Sequence, residues 1–109
     1  RVYKRLEIVS RTPEGNDIKK FKGEKVNIEI EVDGGMYPYE YQWKYVKLGD
    51  PVFYDVPMGQ VYSRDTKTTL YATVGDEVYS YWCEITDYYG HKLPSTGLQV
   101  IPMDIPVLP

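Results

Sequence analysis

The side chains most capable of covalent or metal chemistry are few and far apart. Cys83 is the one cysteine and His91 the one histidine among 109 residues. A thiol and an imidazole make a nucleophile only within hydrogen-bond reach of each other. Cys83 lies in the alternation Tyr79-Ser80-Tyr81-Trp82-Cys83-Glu84-Ile85-Thr86, a strand pattern that turns Cys83 inward. His91 closes Asp87-Tyr88-Tyr89-Gly90-His91, which reads as a hairpin-type loop at the end of a sheet. The two are not expected to meet, and Cys83 is expected to be an inert buried thiol. One Cys and one His cannot supply the three or four ligands of a zinc site. Asp33, Asp87 and Asp104 could approach domain ends, but no Asp-x-Asp-x-Asp-Gly loop exists, so calcium is not expected. Gly34-Gly35 follows a strand and precedes no helix, which removes a phosphate cradle. Catalysis, a metal and a cofactor are all expected to be absent.

Recognition chemistry is better represented. Tyr occurs twelve times and Phe twice. Tyr suits strands and sits half-buried with its hydroxyl in water. Tyr37 and Tyr39 flank Pro38 in one loop, and Tyr88, Tyr89 and His91 share another. Rings with polar tips offer much contact area for few rotatable bonds, so these five are candidate binding residues. The preferred alternative is that they cover the open end of a core or pack on a preceding domain. Trp82 is a sixth candidate. Strand phase sends it to the outer face with Gln42 and Lys44, as a docking group or as a ring covered by the lysine stem.

The elements that would position these residues are strands. Leu6 and Ile8 mark a first one. Thr12-Pro13-Glu14-Gly15-Asn16-Asp17 is a loop rich in turn formers. Val26, Ile28, Ile30 and Val32 alternate with Asn27, Glu29 and Glu31, one face buried and one wet. Asp33-Gly34-Gly35 ends that strand. Tyr41, Trp43 and Tyr45 then face one way and Glu40, Gln42 and Lys44 the other. Pro51 and Pro57 confine the middle of the chain to edge positions. Leu70 and Ala72 share a face, and Leu98 and Val100 complete a last strand. No segment carries the helical period. Seven to nine short strands with turn signals between them give an all-β sandwich.

Length and charge set the remaining bounds. One domain fits 109 residues. Net charge −3 and a pI near 5.1 leave no electrostatic footprint for nucleic acid. Lys19, Lys20, Lys22 and Lys25 cluster, but Glu14, Asp17 and Glu24 interleave with them, as in a solvated loop. No run approaches the ~18 apolar residues of a membrane span, and no signal peptide is read. Asn16 and Asn27 begin no glycosylation sequon, which agrees with a prokaryotic source. Residues 1–102 are expected to form the domain and 103–109 a proline-rich linker or tail. The start at Arg1 and that tail suggest a piece of something longer.

A Tyr two residues before a Cys, downstream of a strand with a core Trp, matches the immunoglobulin-type pattern. From Gly34-Gly35 through Pro38-Tyr39, Tyr41-Gln42-Trp43, Tyr81-Trp82-Cys83-Glu84-Ile85-Thr86-Asp87, Gly90 and Ser95-Thr96-Gly97-Leu98-Gln99-Val100, the chain resembles immunoglobulin-like modules of bacterial and phage surface proteins. The resemblance spans most of residues 3 to 102. It implies an immunoglobulin-like two-sheet β-sandwich of about seven to nine antiparallel strands. Ile30 stands where the first cysteine of such domains would be, so no inter-sheet disulfide is expected. The implied core is Ile30, Trp43, Leu70, Tyr81 and Cys83, with Tyr81 as a tyrosine corner. The implied role is a non-catalytic structural or adhesive module of a larger extracellular or cell-surface protein, often in tandem. Its partners would be a protein or glycan on a host or cell surface, and neighbouring domains. The alternative is a carbohydrate-binding accessory module of a secreted enzyme.

Overall fold

Four β-branched residues, Val26, Ile28, Ile30 and Val32, are each at most 3% exposed, while Lys25, Asn27, Glu29 and Asp33 face water. Alternation along one strand thus builds half of a core, and a second sheet must supply the other half. The structure is a computed structural model that describes residues 4–103. Its strands are β1 (Glu7–Thr12), β2 (Asp17–Phe21), β3 (Lys25–Asp33), β4 (Glu40–Lys47) and β5 (Tyr54–Asp55). They continue as β6 (Val61–Arg64), β7 (Lys67–Thr73), β8 (Tyr79–Thr86), β9 (Lys92–Pro94) and β10 (Leu98–Met103). One sheet runs β1-β3-β7-β6; the other runs β2-β10-β8-β4-β5, with β9 paired to β8. The protein is an all-β, two-sheet sandwich.

Trp43, Ile30, Leu70 and Cys83 all lie in the core, each at most 1% exposed. Trp43 and Cys83 are directly opposed across β4 and β8, and Ile30 opposes Thr68 across β3 and β7. The indole N–H of Trp43 crosses between the sheets and donates to Thr68 Oγ1 at 2.8 Å. Thr68, itself 0% exposed, is also hydrogen-bonded to Ser63 Oγ at 2.7 Å. A polar pin therefore joins the sheets beside the apolar contacts of Ile30.

Four expectations need correction. Lys19 and Lys20 do not sit in a loop: they belong to β2, which pairs with β10 in parallel, so the strands are not all antiparallel. Ile18 turns onto the core while the lysines stay at the edge, which suffices for an edge strand. Among the described residues there are ten strands, more than expected, because β5 and β9 are only two and three residues long. The last strand continues through Pro102 to Met103, one residue past the expected domain boundary. Pro102 is tolerated there because β8 pairs only with Leu98, Gln99 and Val100. The remainder of the expected tail, 104–109, and residues 1–3 lie outside the described residues.

Tyr81 is the fourth correction. It packs against the core from its margin and is only partly buried. Its ring lies 6.3 Å from Tyr45 and 6.4 Å from Tyr79, and Tyr54 lies 5.9 Å from Tyr45, so four tyrosines close one side of the sandwich. Burial, then the neighbouring Tyr79 and Tyr45, raises the Tyr81 phenol pKa. The tyrosine hydroxyls seen to bond backbone carbonyls among the described residues are those of Tyr39 and Tyr41.

Candidate functional site

β3 ends and β4 begins at the same end of the sandwich as the β8–β9 turn, the β6–β7 turn and the lead into β1. Gly34 and Gly35 make that junction possible. Both have positive φ, 77° and 60°, and a Cβ on Gly34 would collide with the Arg5 carbonyl oxygen. A Cβ on Gly35 would sit 2.8 Å from Asp87 Oδ2. Only glycine allows so close an approach in this backbone region.

Asp87 is the anchor. Its side chain is fully buried, yet it is a carboxylate. Oδ1 accepts the His91 amide at 2.8 Å; Oδ2 accepts the Met36 amide at 3.2 Å and lies 2.9 Å from His91 Nδ1. Tyr88 N–H donates to the Met36 carbonyl at 2.7 Å, so the two loops are tied twice. Burial alone would push the Asp87 carboxyl up. The His91 ring and the two amides outweigh it and hold the carboxyl below its usual range.

On this frame the candidate rings divide. Tyr39 folds inward and donates its hydroxyl to the Gly34 carbonyl at 2.6 Å. Burial, then the charges of Asp33 and Asp87, raises its pKa. Tyr37, Tyr88 and Tyr89 stand in solvent at 56%, 68% and 60% exposure. Tyr37 leans edge-on against Tyr39 at 5.7 Å; Tyr88 and Tyr89 are 5.9 Å apart, and His91 lies 6.4 Å from Tyr89. The two loops thus lie side by side, with Tyr39 turned inward and Tyr37, Tyr88 and Tyr89 forming an exposed rim. Trp82 is separate from them. It lies on the outer face opposite Lys44, and Phe53 meets it edge-on at 5.5 Å with Lys44 Nζ 5.1 Å from the Phe53 ring. The lysine therefore rests on Phe53, which sequence reading did not single out.

Two further parts of this end went unread in the sequence. The turn Asp65-Thr66 joins β6 to β7 and brings Asp65 to the rim, where its carbonyl accepts the Tyr41 hydroxyl at 2.8 Å. Asp65 has φ 53°, a conformation Asp tolerates better than most residues. The pair lacks the glycine that usually signals a two-residue turn. The second is a cleft of about 490 Å³ beside the rim, between the lead into β1, Gly35, Asp87 and β9. Leu6, Leu93 and Tyr89 line it, together with Lys4, Arg5, His91 and Lys92.

The reactive side chains stay apart. Cys83 is 0% exposed in mid-strand, and burial pushes its thiol up to about 12. The His91 side chain is 71% exposed and held at Asp87. Asp33 meets Lys4, whose hydrogen bond, followed by the Gly34 amide, holds its carboxyl low; Asp104 lies outside the described residues. Among the described residues, no three His, Cys, Asp or Glu side chains gather as a metal site. No helix among them is long and apolar enough to cross a membrane. No family model matches the chain, and no curated protein is similar enough to count as a match.

Proposed function

We propose that the chain is an immunoglobulin-like module that acts by binding and not by chemistry, with its loop end as the docking surface. The fold reading is supported by strand order. β1-β3-β7-β6 facing β4-β8-β10 corresponds to the first, second, fifth and fourth strands facing the third, sixth and seventh of that sandwich. The function rests on one observation above all: Tyr37, Tyr88 and Tyr89 are exposed on loops whose backbones are fixed through Asp87. Rigid loops that present large amphipathic rings lose little entropy on binding. The module then serves adhesion or spacing in a larger extracellular or cell-surface protein of bacterial or phage type. Its partner is a protein or glycan on another surface, and nucleic acid is disfavoured by the net charge of −3.

The test is a screen of the isolated domain against glycans and host-surface proteins, repeated with Tyr37→Ala, Tyr88→Ala and Tyr89→Ala. Binding should fall with each variant while the unfolding midpoint stays put. Lower stability with no binding before or after substitution would make the rim a purely structural feature.

A further inference from the structure

The cleft beside the rim differs in chemistry from the rim itself. Leu6 is a core residue at 7% exposure and Leu93 packs against the core, so its floor belongs to the rigid sandwich. Tyr89 forms a wall from the loop fixed by Asp87. A cleft of about 490 Å³ falls within the range that takes a small ligand or one large side chain. Three of its lining residues, Lys4, Arg5 and Lys92, are cationic in a chain of net charge −3. Lys4 is already matched by Glu7 at 3.0 Å and by Asp33. Arg5 has no ion pair among the described residues, and Lys92 has only an exposed contact with Glu84 at 3.8 Å. Asp87, the one acid in the lining, is occupied by His91 and by two backbone amides. An apolar floor with two under-used cations in its lining is complementary to one kind of group: a large apolar side chain flanked by carboxylates.

We infer that this cleft is a docking site for an acidic peptide segment carrying a leucine- or phenylalanine-sized anchor. The anchor enters between Leu6, Leu93 and Tyr89, and the flanking carboxylates meet Arg5 and Lys92. Arg–carboxylate contacts add direction, while the apolar anchor supplies most of the affinity. The inference rests on the binding role proposed above but shares only Tyr89 with the exposed rim, so substitutions at Tyr37 and Tyr88 separate the two.

The experiment is a fluorescence-anisotropy titration with labelled acidic hexapeptides bearing a central Leu or Phe. The counterparts have Lys for every acid or Ala for the anchor. The acidic, anchored peptides should bind, and both counterparts should bind at least about tenfold more weakly, a difference of about 1.4 kcal/mol. Arg5→Glu with Lys92→Glu should abolish the preference for acid, and added NaCl should weaken binding of the unmodified protein. Leu93→Trp, which fills the cleft, should block binding with the fold retained by circular dichroism. Tyr37→Ala and Tyr88→Ala, outside the cleft, should leave peptide affinity unchanged whatever they do to the rim's own target. Absence of peptide binding, or equal binding of the Lys counterpart, overturns the inference. So does peptide binding that appears only once residues 1–3 are deleted, which would give the cleft to the chain's own leader.

Discussion

Two buried polar groups, the indole N–H of Trp43 and the carboxylate of Asp87, secure different parts of this molecule by different means. The indole joins two strands on opposite sheets, side chain to side chain, through Thr68. The carboxylate joins two loops, and most of its partners are backbone amides. The first is surrounded by apolar atoms that carry most of the stabilisation. The second sits at the sandwich end beside an open cleft, and its value lies in fixing where Tyr37, Tyr88 and Tyr89 stand. Core pins are therefore sensitive to shape, whereas loop anchors are sensitive to acceptor chemistry and to pH.

The sharpest way to break this contrast is Trp43→Ala. It removes the largest fully buried side chain and leaves a cavity opposite Ile30 and Cys83. The expected loss is about 3–5 kcal/mol in urea unfolding, a large share of a typical domain's stability. Cys83 should then react with a thiol reagent that leaves the unmodified native protein untouched. Fast labelling of the unmodified protein would contradict the closed core.

Thr68→Val separates the polar part of the pin from its apolar part. The isostere keeps the volume but strands the indole N–H and takes a partner from Ser63. A loss of about 1–3 kcal/mol is expected. Combined with Trp43→Phe, the effect should be clearly less than additive, because both ends of the bond are then gone.

At the loop anchor the readout is pH. The Asp87 carboxyl is held below its ordinary value, so it adds stability that is complete above about pH 4 and is lost as pH falls through its folded value. Asp33 titrates in the same direction through Lys4, so the measurement is a difference. Asp87→Asn should flatten the acid limb of the stability curve more than Asp33→Asn. It should also speed amide exchange at Met36 and His91 while leaving β3 and β8 protected. Equal effects of the two variants would put the pH dependence at the exposed Lys4 pair instead.

The division between strands and loops also decided what was legible in the sequence. β3 could be read because its period of two has no exception from Val26 to Val32, and β8 because Cys83 and Ile85 keep the same phase. β2 could not, because an edge strand needs only Ile18 turned inward and its lysines look solvated either way. Thr68 reads as an ordinary polar residue; its burial is set by an indole from the other sheet, which no local pattern records. At the rim, sequence reading gathered the right two loops but could not say which rings face out. Loops have no period, and the outcome turned on one carbonyl, that of Gly34, accepting the Tyr39 hydroxyl.

The finest test of the comparison is His91→Ala. If the loop anchor is made by the backbone, the ring is the least of its parts. The His91 amide still donates to Asp87 Oδ1 after the ring is removed, and the Met36 amide still donates to Oδ2. The ring itself is mostly in solvent, where a charged contact is screened and contributes little. His91→Ala should therefore lower stability at neutral pH by less than Thr68→Val and leave exchange at Met36 slow. Tyr89, 6.4 Å from the ring, should keep its exposure. A drop as large as that of Asp87→Asn, with Met36 exchanging freely, would show instead that the imidazole orients the carboxylate. The loop anchor would then depend on a side-chain pair, as the core pin does.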